Sequence, residues 1–184
     1  MEQRRIEPLD PLEPRSMSSG LAKRTIKNLD FIKNAALAEE DVHPVTQVVN
    51  SLLALLVFPY AKEQEFFEMF VRLKFDDPSD LEGVCATLTE QLPVPSLNVA
   101  DFKGCKNFKD FFRRTRNAIS HKNLEFKSAD PASRILADVR VTLKDQPFSR
   151  GKPTGPVDWE ISLTAEDLEN LSRYIAMRMI ERGL

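Results

Sequence analysis

The stretch HPVTQVVNSLLALLVFP, residues 43–59, constrains the fold more than any other part of the chain. Wound at about 100° per residue, its interior is apolar on nearly every side, so none of its faces suits water. Pro44 fits the first turn of a helix, where a missing N–H leaves no bond unmade, and Pro59 marks the stop. The longest apolar run, LLALLVF at 52–58, is far short of the roughly 20 residues that span a bilayer. A helix of this kind must be enclosed by others, so the expectation is a bundle with this segment at its centre.

The flanking sequence supplies the enclosing elements. From Leu21, Ile26, Leu29, Phe31, Ile32, Ala35 and Ala36 recur at helical spacing. KEQEFFEMFVRLKF (62–75) reads as an amphipathic helix through Phe66, Phe67, Phe70 and Leu73. DPSDLEGVCATLTEQLP offers Ser79 as a cap and Leu81, Val84, Cys85 and Leu88 as a core face. After a loop, a fifth helix runs from about Asn107 to Lys122. The period then changes. ILADVRVTLKD (135–145) and VDWEISL (157–163) alternate with β-branched residues around the turn-rich connector QPFSRGKPTGP, which predicts a β-hairpin with a long loop. Thr164 caps a last helix whose core positions are Leu168, Leu171, Ile175 and Met179. The fold class expected is all-α, a helical bundle with a β-hairpin inserted before the C-terminal helix. Residues 1–19, with prolines 8, 11 and 14 among charges and serines, read as a flexible tail, and 20–184 as one helical domain.

Composition narrows the setting. A chain of 184 residues, 42% hydrophobic, is long enough to bury one real core. Its net charge of −2 gives no global field toward nucleic acid, so any anion site is local. Cys85 and Cys105 form no CxxC pair and have no metal-ligand company. Without a hydrophobic leader at the start, the expectation is a soluble cytoplasmic protein with no membrane association. No P-loop, G-x-G-x-x-G, HExxH or G-x-S-x-G is present, nor a GS…D-x-D nucleotidyltransferase pattern, and no cofactor or metal is expected.

The local anion site falls on the fifth helix. With Phe108 at zero on a helical wheel, Phe111, Phe112, Thr115, Ala118 and Ile119 lie within about 80°, a continuous core stripe. Arg113, Asn117 and His121 lie at roughly 140°, 180° and 220°, opposite the core, with Arg116 on the flank near 80°. From Lys103 to Lys127 there are eight Lys or Arg residues against Asp110 and Glu125. Such a face suits a phosphate-bearing ligand, and it equally suits plain solvation.

The six residues RNAISH resemble the R-x4-6-H signature of the HEPN superfamily, in which a polar residue often follows the arginine. HPVTQVVNSLLALLVFPYAKE, RNAISHKNLEF and the hairpin VTLKD…VDWEIS are similar to a branch of small stand-alone HEPN-like proteins of plasmid and defence-type loci, over roughly residues 21–182. The resemblance implies a helical bundle that commonly dimerises, and in many members a metal-independent endoribonuclease. It also implies a toxin or defence role with an antitoxin protein as partner.

RNA carries its own nucleophile, the 2′-OH, so cleavage needs a base, an acid and a cation for the phosphorane charge, but no metal. His121 suits proton transfer near neutral pH, and Arg116 suits the non-bridging phosphate oxygens. Asn117, one turn before His121, is placed to hold the imidazole. Arg113, Arg114, Lys109 and Lys122 are the candidate RNA contacts, with Lys103 and Lys106 beside them. One histidine cannot readily be both base and acid, whereas a homodimer apposing two such faces supplies two, in a composite active site. The alternatives are a non-catalytic RNA- or nucleotide-binding module and a face that serves only dimerisation. His121 then merely ends its helix, where a cation favours the dipole, Arg116 pairs with an acidic neighbour, and Asn117 is a polar surface residue. His43, before Pro44, is a capping or packing residue, and Trp159 a packing one.

Overall fold

The computed structural model describes residues 17–57, 105, 108–130, 133, 135–149 and 152–181, without the side chains of 17, 18, 108 and 109. The helices expected over 62–75 and after Ser79, and residues 1–16, lie outside the described residues.

Helix α1 spans Met17–Leu37 and α2 Pro44–Val57. The N–H of Gln47 donates to the carbonyl of His43 (3.1 Å), which makes His43 the cap and Pro44 the first helical residue. Pro44, Val48, Val49, Leu52, Leu55 and Leu56 of α2 are buried. The all-round apolarity is used: α2 packs against α1, against α3 (Phe108–Ser120) and against the C-terminal helix α4 (Ala165–Glu181). On α1, Ala22, Thr25, Leu29 and Ala35 are buried, but Phe31, expected on the core face, is 61% exposed.

Three strands, β1 (Leu124–Ser128), β2 (Val139–Asp145) and β5 (Trp159–Thr164), form an antiparallel sheet in the order β1-β2-β5. In the connector between β2 and β5, Phe148–Ser149 (β3) and Lys152–Pro153 (β4) make a small second ribbon. The expectation of an all-α fold with a two-stranded appendage is therefore overturned. Among the described residues the chain is mixed α and β, though mostly helical, because LEFKS adds a strand to the predicted hairpin and the connector pairs with itself.

The register explains how the sheet joins the core. Leu124, Phe126, Val141, Leu143, Asp145, Trp159, Ile161 and Leu163 share one face by their pairing, and the β2 and β5 members are all buried. Helix α3 lies against β2 on this side, with Phe111 edge-on to Trp159 (5.9 Å, 82°) and to Phe112 (5.7 Å, 67°). Burying a phenylalanine of this kind contributes about 1.5–3 kcal/mol. The outer face carries charge: Lys144 bridges Glu125 (2.6 Å) and Glu160 (3.8 Å) across the three strands. Thr164 and Asp167 form a reciprocal capping box at the start of α4, with Thr164 N–H donating to Asp167 (3.0 Å) and Asp167 N–H to Thr164 (3.1 Å). Farther along, Arg173 joins the buried Glu169 (2.6 Å) to Asp30 (2.7 Å) and so ties α4 to α1.

Candidate functional site

Helix α3 is organised by the two stripes its sequence predicts. Phe111, Phe112, Thr115, Ala118 and Ile119 are buried, and the Thr115 hydroxyl donates to the carbonyl of Phe111 (2.9 Å), so no polar group is lost in the core. The helix stops in a tight C-cap. Lys122 N–H donates to Ile119 O (3.1 Å) and Asn123 N–H to Ala118 O (2.8 Å), the double closure of a Schellman motif. The geometry requires a left-handed residue, and Lys122 takes it with φ 59°, which costs about 1 kcal/mol for a side-chain-bearing residue. His121 is thereby the cap residue itself, exposed at the negative end of the helix.

Arg116 and Asn117 lie one turn back. The guanidinium of Arg116 donates to the side-chain carbonyl of Asn117 (2.7 Å). The Asn117 side chain also favours the charged form of the Asp145 carboxyl, at the end of β2. The side-chain carbonyl of Asn117, expected to hold the imidazole, is thus the acceptor for Arg116. Asp145 is 4% exposed. Burial pushes its carboxyl above the usual 3.8, against the opposing pull of Arg114, Arg113 and the Asn117 bond.

The other sequence candidates separate. Arg113 is half-exposed and reaches back to Asp110 (3.3 Å). Arg114, expected among the RNA contacts, points instead to the hairpin: its Nη1 meets Asp145 (3.4 Å) and Asp158 (2.9 Å), and only 12% of its side chain is exposed. A guanidinium held by two carboxylates braces the β2–β5 loop against α3. Lys122 is exposed beside His121. The side chain of Lys109, with Lys103 and Lys106, lies outside the described residues. Trp159 is a core residue, as its strand position predicts. Beside the site, burial pushes the half-buried Cys105 thiol up to about 11, which leaves it protonated and unreactive at neutral pH.

Two neighbours of the site escape sequence reasoning. Asp145 had a legible signal: it falls in step with Val141 and Leu143 on the buried face of a strand, where a carboxylate demands a partner. Phe148 had none. From the connector ribbon its ring lies flat on the imidazole of His121, with centroids 3.9 Å apart and planes 8° from parallel.

At the helix end the chain thus gathers a phosphate-binding type of cation, an amide that orients it, and an exposed imidazole. Among the described residues no helix is long and apolar enough to cross a membrane. No curated protein and no solved structure matches the chain. The family model described as HEPN pEK499 p136 matches residues 2–182, which takes in every element described above. The chain belongs to that HEPN family.

Proposed function

We propose that the protein is a metal-independent endoribonuclease of HEPN type, acting as a homodimer on RNA. The observation that carries the reading is the end of α3: Arg116, oriented by a 2.7 Å bond to Asn117, stands one turn from an exposed His121 on the same helix. In the dimer two such ends face each other. One imidazole takes the proton of a ribose 2′-OH as its oxygen bonds to phosphorus. The P–O5′ bond breaks, and the partner's imidazolium protonates the departing 5′-oxygen. Arg116 meets the charge on the non-bridging oxygens, with a fork that suits phosphate. The products are a 2′,3′-cyclic phosphate and a 5′-OH. Arg113, Lys109 and Lys122 contact flanking phosphates, while Arg114 braces the hairpin. An activity of this kind fits a toxin or defence effector restrained by an antitoxin in the cytoplasm.

A second reading, a non-catalytic RNA- or nucleotide-binding module, draws on the His121–Phe148 stack, since a flat aromatic pair offers a surface to a base without any reaction. Cleavage of labelled single-stranded RNAs in EDTA separates the two. The nuclease reading expects cyclic-phosphate ends from the wild type and a loss of about 10²–10⁴-fold in His121→Ala with the dimer intact. RNA binding without cleavage supports the module. A wild-type monomer at micromolar concentration counts against the composite site.

A further inference from the structure

A general base or acid needs its ring held in one plane and one nitrogen free for the proton, and a stacked neighbour can hold the plane without engaging either nitrogen. We infer that Phe148 is the positioning residue of His121, holding the plane of the ring by stacking while a ring nitrogen meets the reacting group. The inference rests on the nuclease reading of the site.

The frame that presents Phe148 is tied to the helix that carries His121. At the base of the loop, Asp158 N–H donates to Asp145 O (3.1 Å), and Arg114 spans the carboxylates of the same two residues. Lys144 N–H donates to Asn123 O (3.0 Å), which joins β2 to the residue just past the α3 cap. Within the loop, Phe148 pairs with Pro153, and Thr154 N–H donates to Pro147 O (2.8 Å). Gly155 packs so closely on Pro147 that an added Cβ would stand 3.2 Å from its ring. Each bond limits where the Phe148 ring can go. The stack is parallel and close, and it covers one face of the imidazole while His121 as a whole stays exposed. His121, exposed at the end of the helix, needs a restraint from another element to keep one rotamer. The hairpin supplies that restraint.

The test uses full-length protein and two readouts. The chain has only two histidines, so the ring protons of His121 and His43 give two sets of NMR signals. The His121 set should carry an upfield ring-current shift that disappears in Phe148→Leu and survives in Phe148→Tyr, while His43 stays put. In the EDTA assay, Phe148→Leu should lower kcat about 10–100-fold with KM little changed, and Phe148→Tyr should restore most of it. If the His121 signals do not move in Phe148→Leu, the stack is absent and the inference falls. If they move and cleavage is unchanged, Phe148 positions nothing that matters, and the nuclease reading stands alone. If the wild type cleaves no RNA, the nuclease reading fails and takes the catalytic half of the inference with it, while the NMR signals, which need no substrate, still decide the stack.

Discussion

Helices α1 and α3 end in the same backbone device and carry opposite chemistry on it. Past α1, Glu39 N–H donates to Ala36 O (3.1 Å) and Glu40 N–H to Ala35 O (3.0 Å), with Glu39 at φ 59°. Past α3, Lys122 and Asn123 make the same two bonds to Ile119 and Ala118, again with φ 59°. Neither left-handed position is glycine, so each helix spends about 1 kcal/mol on its turn. The α1 end places three carboxylates, Glu39, Glu40 and Asp41, at the negative pole of a helix, which the dipole disfavours. The α3 end places the Lys122 cation there, which the dipole favours, beside the imidazole of His121. At the α3 end the connector brings Phe148 onto His121 as a roof. The shared cap is a folding device; the lysine, the imidazole and the ring stacked on it are what mark the α3 end as a site.

The largest expected effect breaks that distinction at Arg116. Arg116→Ala removes the cation that faces the phosphorane, and cleavage should fall about 10²–10³-fold with the fold and dimer unchanged. Arg116→Lys should recover only part of it, since an ammonium lacks the planar pair of N–H donors that matches two phosphate oxygens. Arg173 is the contrast within the molecule. Its guanidinium joins the buried Glu169 to Asp30, so Arg173→Ala should lower stability by about 1–3 kcal/mol and leave cleavage per folded molecule intact. Paired urea denaturation and cleavage assays read both. Equal loss of activity in the two variants would erase the difference between an arginine of the site and one that only ties helices together.

How far the sequence led follows the same division between local and distant contacts. The α2 segment was legible because it is apolar in every direction, and Thr164 because its capping partner lies three residues on. The inner and outer stripes of α3 were legible by period alone. Strand β1 was not. Glu125 and Lys127 face outward and Phe126 is 52% exposed, so LEFKS carries little hydrophobic signal and takes its shape from pairing with β2. The partners of Arg114 lie 31 and 44 positions along the chain, which no spacing rule reaches. Its place in a basic run suggested a phosphate contact, and tertiary structure gave it two carboxylates instead. Phe148 is the extreme case, since its contact with His121 exists only once the connector has folded onto α3.

A smaller effect sharpens the comparison through Asp145, the buried carboxylate behind the site. Because burial raises its folded-state pKa above 3.8, the native protein binds that proton more tightly than the unfolded chain. Stability should therefore fall as pH rises from below 3.8 through the raised value, and level off above it. Glu125, lowered by its contact with Lys144, works in the opposite sense, adding stability above its ordinary 4.5 that is lost on acidification. The difference between wild type and Asp145→Asn isolates the buried group: the variant should lose the downward segment and keep the Glu125 one. Urea midpoints across pH 3.5–7 decide it, and identical curves would mean that Asp145 is not strained by its burial.

The smallest effect returns to the caps. Glycine adopts φ near 59° without a Cβ clash, so Glu39→Gly and Lys122→Gly should each raise stability by about 0.5–1 kcal/mol. On folding grounds the two substitutions are alike, and thermal unfolding should move both the same way. Glu39→Gly gains a little more, because it also removes a negative charge from a negative helix end. On functional grounds they part. Lys122→Gly deletes a cation next to His121, so its RNA affinity should weaken and the slope of log affinity against log salt should become shallower by about 0.7, the contribution of one phosphate contact on a single strand. Glu39→Gly should leave that slope where it was. A lysine kept in a glycine's conformation is then explained by the ligand and not by the fold; if the Lys122→Gly slope is unchanged, the strain at that cap has no functional counterpart.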